Sequence, residues 1–382
     1  MTLIPHLYVH VPFCPSICPY CDFHILERRA GSVEAFLLEL ERDAAELERT
    51  YGRGGQSGRS ELQTVYLGGG TPSFLRDAEI TKLVEIVRTH FGWASQEATL
   101  EVNPGTVTKA RAQLWRDLGF SRASLGVQST QDHVLKFLGR THDSQQAFTA
   151  LEILLEAGFR VSADAITAVP DQDVERDLRA LASLGLEHMS CYTLTIEEGT
   201  PFARQGVSVR EEDEERSLEL AENILLEYGL QRYEVSNHAK PGFESRHNIA
   251  YWQNRFWFGL GPGAAGHYPI VGEDAAGDAS ENIVSRRRTN PHFQTWLEGS
   301  RGEIEDVTRE GFITDGLFSG LRMKRGVDLR DLSKRAGLDA LTHFKTQFDS
   351  LQSRGLLEFD GEIVRATANG IWVLNQVVSE FL

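Results

Sequence analysis

The sequence predicts an α/β fold, a partial (β/α)6 barrel followed by a C-terminal winged-helix-like α+β domain. Three observations predict it. Six short apolar or β-branched runs recur, each but the last followed by a stretch of helical periodicity, which is the signature of parallel strands joined by right-handed crossovers. The count of six favours a partial barrel over a closed eight-stranded one. After residue 310 the pattern changes to three short helices, an Asp-Gly turn between two apolar runs and a closing helix. The chain therefore divides into a barrel over residues 1–235, a connecting region over 236–310 and a terminal domain over 311–382.

The first strand covers residues 7–12, LYVHVP, and delivers a cysteine-rich loop at its C-terminal end, where barrels collect functional residues. Ser32 is placed to cap a helix whose apolar face is Val33, Phe36, Leu37, Leu40, Ala44 and Leu47. Residues 52–60, GRGGQSGRS, read as a flexible connection within the domain. The second strand, 64–67, ends in Gly68-Gly69-Gly70-Thr71, and a helix follows over 78–91. The alternation continues through strand 98–102, helix 107–118, strand 122–127, a helical stretch over 132–155, strand 159–166, helix 174–184 and strand 188–195. The charge run 211–216, EEDEER, opens a solvated helix, since acidic groups suit a helix start and such residues stay exposed. Residues 231–235 read as another strand and 271–284 as an exposed loop. In the terminal domain, helices over 312–321, 329–336 and 341–351 precede a hairpin of 356–359 and 362–365, and a helix over 367–381 closes the chain.

Composition narrows the function. A chain of 382 residues can bury one large core and a smaller one. Thirty-nine Lys and Arg against 55 Asp and Glu give a formal charge of −16, which argues against a general nucleic-acid or anionic-membrane binder. The terminal domain carries nine basic and nine acidic residues from Gly311 to Leu382, so the basic footprint of a DNA-binding winged helix is missing. It reads as a cover for the barrel. No run approaches the length of a membrane span, and MTLIPHLYVHVPFC lacks the basic and apolar segments of a secretory leader, so a cytoplasmic location is expected.

Three of the four cysteines, Cys14, Cys18 and Cys21, fall within eight residues at C-x3-C-x2-C spacing, and Cys191 stands apart. Soft thiolates on one tight loop favour an iron–sulfur cluster, zinc or copper(I). Three ligands suit a [4Fe–4S] cluster with one iron left open; a zinc site would need a fourth ligand such as His24. Disulfides are not expected in a reducing compartment.

The segment YVHVPFCPSICPYCDF, residues 8–23, resembles the signature of radical S-adenosylmethionine (SAM) enzymes, and most of all the branch of oxygen-independent coproporphyrinogen oxidases and HemW-type haem chaperones. The resemblance continues through SCYTLTIEEGTPF (190–202), RYEVSN (232–237), HNIAYW (247–252) and LFSGLRMKRGVDL (317–329). It implies a radical SAM barrel, a [4Fe–4S] cluster on Cys14, Cys18 and Cys21, and SAM on the open iron. By the same resemblance the SAM contacts fall on Tyr8, Tyr20, Gly69, Gly70, Thr71, Glu101, Gln128, Arg140 and Asp164. Their types make chemical sense, with carboxylates for ribose hydroxyls and the sulfonium side, Arg for a carboxylate and glycines where backbone must approach closely.

Two features separate the branches. The oxidases resemble C-x3-C-x2-C-x-C with an N-terminal extension, whereas here Phe23 takes the extra position and thirteen residues precede Cys14. Both point to the haem chaperones, and an active coproporphyrinogen III oxidase is not expected. The resemblance then implies haem and a haem-acceptor protein, not identified by the sequence, as partners; pairing with a second copy of the chain is left open. Haem iron takes His, Cys, Met or Tyr. His247 is the favoured ligand by resemblance and Tyr251 the second. Arg286, Arg287 and Arg288 are candidates for the propionates. Where the family usually reads D-L-I-x-G-L-P-G-Q-T, this chain has Asp164-Ala-Ile-Thr-Ala-Val-Pro-Asp171-Gln172-Asp173, losing two glycines. Other departures introduce His238 and His267 as further haem-ligand candidates.

Overall fold

The computed structural model describes residues 4–52, 62–271 and 282–382. Its strands, in chain order, are β1 (His6–Val11), β2 (Phe13–Cys14), β3 (Leu26–Glu27), β4 (Leu62–Gly69), β5 (Ala94–Val102), β6 (Arg122–Gln128), β7 (Arg160–Thr167), β8 (His188–Thr193), β9 (Gln231–Arg232), β10 (Asn237–Ala239), β11 (Trp257–Leu260), β12 (Ala265–Pro269), β13 (Ile283–Thr289), β14 (Glu303–Thr308), β15 (Val327–Asp328), β16 (Leu357–Asp360) and β17 (Ile363–Ala366).

Twelve of these form one open sheet in the order β14-β13-β12-β11-β1-β4-β5-β6-β7-β8-β10-β9. The six expected strands are its parallel centre, β1 and β4 to β8. Strands buried on both faces are rich in apolar residues, and Leu7, Val9, Val65, Leu67, Leu100, Leu125 and Ala163 are fully buried, with polar residues such as Thr64, Ser124 and Ser162 buried among them. The sheet does not close, which is the geometry of a partial barrel. Beside β1 it continues with β11, parallel, and then antiparallel β12, β13 and β14; these arise from the expected connecting region. Of residues 231–235 only Gln231–Arg232 is a strand, at the far edge.

Helices fill the outer layer near the predicted positions, with three instructive differences. Ser32 is not the cap of Ser32–Tyr51; Gly31, in the left-handed conformation at φ 75°, takes that place, and Ser32 donates to the Arg29 carbonyl. The helical stretch 132–155 is two helices, Asp132–Phe137 and Ser144–Glu156. Gly139 breaks it at φ 67°, and a Cβ there would lie 2.5 Å from Pro19 of the cysteine loop, so the break brings the two loops together. Two helices of the terminal domain also divide: the expected 341–351 at Phe344, into Ala340–His343 and Lys345–Ser353, and the closing helix at Val373, into Ala368–Trp372 and Leu374–Ser379. The acidic run opens Glu211–Glu227 as expected. The predicted connection 52–60 lies outside the described residues beyond Gly52; so does the predicted loop 271–284 except at its ends, and β13 already begins at Ile283.

The terminal domain has its own core of Phe312, Ile313, Leu317, Leu332, Phe344, Phe348, Leu351, Val364 and Phe381. Its sheet, in the order β15-β17-β16, completes the winged-helix-like pattern, with Gly361 at φ 62° in the hairpin turn.

Candidate cluster and cofactor site

The C-terminal ends of the parallel strands open into a cleft of about 400 Å3, within the range of small-ligand sites. The short parallel pair of β2 and β3 brackets the cysteine loop at its mouth. Cys14 is buried, while Cys18 and Cys21 are half-exposed on a turn in which the Cys21 amide donates to the Cys18 carbonyl at 3.1 Å. Thr71 Oγ1 lies 3.5 Å from Cys14 Sγ and Arg140 Nη1 lies 3.6 Å from Cys18 Sγ. The arginine reaches that sulfur because it sits in the break between helices.

The glycine run is explained by the chain's own packing. A Cβ on Gly70 would meet Pro12 at 2.9 Å and Cys14 Sγ at 3.0 Å, and one on Gly69 would strike the His10 ring at 2.5 Å. Small residues here let the β4 turn lie directly against the cysteine loop. The Gly70 amide donates to Val11 O and the Thr71 amide to Phe13 O, at 2.8 and 2.9 Å.

The carboxylates lie deeper. Glu101, at the end of β5, accepts from Tyr66 OH at 2.8 Å and from the Gly69 amide at 3.0 Å. Burial pushes its carboxyl up to about 7. Asp164 accepts from Ser124 Oγ at 3.0 Å and from Ser162 Oγ at 3.3 Å, and burial raises its pKa too. Gln128 ends β6 with φ 68°, a left-handed backbone unusual for a side chain other than glycine.

The cleft is lined by Cys14, Cys18, Tyr20, Cys21, Gly69, Gly70, Thr71, Glu101, Gln128, Arg140 and Asp164, all expected from the sequence. Tyr8 is the exception among the expected contacts. It is not part of the lining but lies beside Tyr66, ring centroids 6.1 Å apart, its hydroxyl bonded to His10 Nδ1 at 3.0 Å. The lining also contains Tyr66, Arg122, Ser124, Ser190 and Asn248, which sequence reasoning missed. The signal for the serines is weak: each is a small polar residue in a strand that carries other polar residues, and Ser190 matters because it is the register partner of Asp164.

The haem-ligand candidates stand outside the cleft. His247 is buried behind Tyr66, whose ring stacks on it at 5.1 Å; its Nδ1 is 2.7 Å from Thr64 Oγ1 and its Nε2 is 3.0 Å from Tyr251 OH. His267 is also engaged at both nitrogens, by Arg255 O and Ser285 Oγ. Buried His238 has a hydrogen-bond partner at neither nitrogen among the described residues. The three arginines are spoken for within the chain: Arg286 pairs with Asp306, Arg287 with Asp315 and Arg288 with Asp43.

The thiols fit a [4Fe–4S] cluster. Burial raises the pKa of Cys14, and that of Cys21 to about 11, so ionising them in place calls for strong positive charge such as iron supplies. Among the described residues no three His, Cys, Asp or Glu side chains gather about one point as the ligands of one ion would. A four-iron cluster instead offers a separate iron to each thiolate.

Comparison with known proteins agrees with this geometry. The Radical SAM superfamily pattern matches residues 8–184, and the HemN C-terminal domain pattern matches residues 307–373. The chain is 36% identical to "Heme chaperone HemW" of Escherichia coli, covering 98% of this chain and 97% of that one. It is 31% identical to the protein of the same name from Bacillus subtilis, covering 98% of both. The solved structure of coproporphyrinogen III oxidase, HemN, from Escherichia coli superposes with a TM-score of 0.80 at 20% identity, over 100% of this chain and 90% of that one. That likeness is one of fold.

Proposed function

We infer the function from one premise: the chain belongs to the radical SAM superfamily and, within it, to the HemW group. It is a haem chaperone of radical SAM fold, binding haem and passing it to an acceptor protein in the cytoplasm. The observation that carries this reading is similarity to HemW proteins along nearly the whole chain. Phe23 supports it, lining the cleft where a fourth cysteine of the oxidase pattern would stand, and 65% exposed.

Cys14, Cys18 and Cys21 hold the [4Fe–4S] cluster in this reading, and SAM fills the cleft beside it. Bound there, the pair supplies one-electron chemistry at the open iron. The chain's own groups orient the ligand. Arg140, beside Cys18 Sγ, offers a fork to a carboxylate. Glu101 and Asp164 offer acceptors for hydroxyl or ammonium donors, each held by hydrogen bonds from the strand next to it. Tyr20, Gly69, Gly70, Thr71 and Gln128 complete the walls.

For haem iron the assignment is His247. With Nδ1 protonated toward Thr64, Nε2 would carry the lone pair and could offer it to haem iron in place of the Tyr251 hydroxyl. A fixed second nitrogen is the usual support of a metal-bound histidine. His238 ranks second because neither of its nitrogens has a hydrogen-bond partner among the described residues; Tyr251 and His267 follow.

Anaerobic reconstitution with iron and sulfide should give a brown protein, and Cys18→Ser should leave it pale. Haem titrated into the reconstituted protein should produce a saturable Soret change that His247→Ala shifts or abolishes. An unshifted spectrum in that variant would move the ligand to His238. Anaerobic conversion of coproporphyrinogen to protoporphyrinogen would overturn the chaperone reading in favour of an oxidase.

A further inference from the structure

A second cavity, of about 670 Å3, lies at the other end of the sheet, where the N-terminal ends of β1 and β4 meet the helix Arg246–Trp252 and the terminal domain. Four of its lining residues are arginines, Arg246, Arg255, Arg325 and Arg335; none is Asp or Glu. His6 and Phe256 also line it.

Counter-charge stands behind the lining rather than on it: buried Glu97 accepts from the Arg246 amide at 3.3 Å, and Asp328 acts on Arg335 through space. Asp331 alone pairs with two of the four, at 3.3 Å from Arg255 and 3.1 Å from Arg335. Arg335 is held further by the Gln253 and Asn254 carbonyls at 2.9 and 2.8 Å, and Arg246 by Gln96 Oε1 at 3.0 Å. Exposed Arg325 makes no hydrogen bond or ion pair among the described residues, although Glu244 is close enough to act on it through space. Burial, and then the charge of Arg255, hold Arg325 and Arg335 below the usual guanidinium range, and the same two influences hold His6 to about 4. Four guanidinium groups, several of them anchored, thus share one cavity whose lining carries no carboxylate. Planar guanidinium forks suit oxyanions that can accept two hydrogen bonds at once.

We propose that this cavity binds a small, multiply charged oxyanion, either phosphate or a pair of carboxylates. The two sources share one chemistry. A free phosphate would sit among the forks; the carboxylates of a porphyrin would bring a larger ligand whose apolar body meets Phe256. Thr64, on β4 beside the cavity, is bonded to both His6 and His247, so the site adjoins the helix that carries His247 without depending on its role in iron binding.

The test uses the full chain with its cluster reconstituted, and inorganic phosphate as the probe at constant ionic strength balanced with chloride. Calorimetry should show saturable binding that Arg325→Gln weakens by about tenfold, the loss expected of one charge-assisted contact. Arg246→Gln, also in the lining, should weaken it as well. Arg330→Gln should not, because Arg330 pairs with Glu362 outside the cavity. Haem titration then separates the sources. Phosphate competing with haem, together with weaker haem binding by Arg325→Gln, identifies the carboxylates; phosphate binding with haem affinity unchanged identifies phosphate. Heats that do not saturate, or that are equal in wild type and Arg325→Gln, overturn the proposal.

Discussion

Glu101 holds its proton more tightly than an ordinary carboxyl, because burial lifts its pKa from 4.5 to about 7 despite the bonds from Tyr66 and Gly69. Between these values the unfolded chain has released the proton and the folded chain has kept it, so this group's contribution to stability falls as pH rises from about 4.5 to about 7. Glu101→Gln should remove that part of the slope in urea unfolding of the cluster-free protein, and an identical pH profile in the variant would show that Glu101 is not its source. The expected site residues were legible because a motif with fixed spacing ties chemistry to position. Tyr66 and Arg122 were not, since an aromatic or a cation within an apolar strand carries no mark of the face to which it points. The two lost glycines acquire a physical meaning in the structure. Ala168 and Asp171 stand at φ 60° and 61°, the left-handed region that glycine enters freely and that costs another residue roughly 1–2 kcal/mol. Asp tolerates that region better than Ala, so the strain is concentrated at Ala168.

At the scale of elements, the helix Ser32–Tyr51 shows how a polar residue can anchor an apolar face. Asp43 is fully buried on that face. It accepts from Arg288 at 2.7 Å, Asn290 at 3.2 Å, Trp296 at 3.3 Å and the Gly261 amide at 3.4 Å. One carboxylate thereby joins the first helix to β13, to the turn after β11 and to the helix Phe293–Leu297. Asp43→Ala leaves Arg288 buried without its partner and should cost about 3–5 kcal/mol, read as a lower urea midpoint. A loss below about 1 kcal/mol would mean that the arginine finds water instead. The sequence displayed this helix through its apolar period, but Asp43 interrupts that period and gave no hint of its partners more than 200 residues away. The same reason hid β11 to β14. Strands of four to seven residues with mixed composition have little period to read, and their pairing is decided by neighbours distant in the chain.

Across the whole molecule, the parallel centre of the sheet was legible because buried parallel strands are nearly continuous apolar runs, and the terminal domain because its hairpin turn is written in Asp-Gly. Neither signal reveals which residues two separated segments will bring together, and the arginine cavity depends on that. Its four cations come from the helix Arg246–Trp252, the turn after it and the terminal domain. The open sheet has one more consequence. An unclosed sheet offers two rows of unpaired backbone groups to any other strand, an invitation to polymerise. One row is only the two residues of β9, too short to recruit a partner. The other, β14, places exposed Glu303 and Glu305 along its length, so an antiparallel copy would set acid against acid. Association of two chains, where it occurs, is thereby steered away from strand addition at these edges and toward another face.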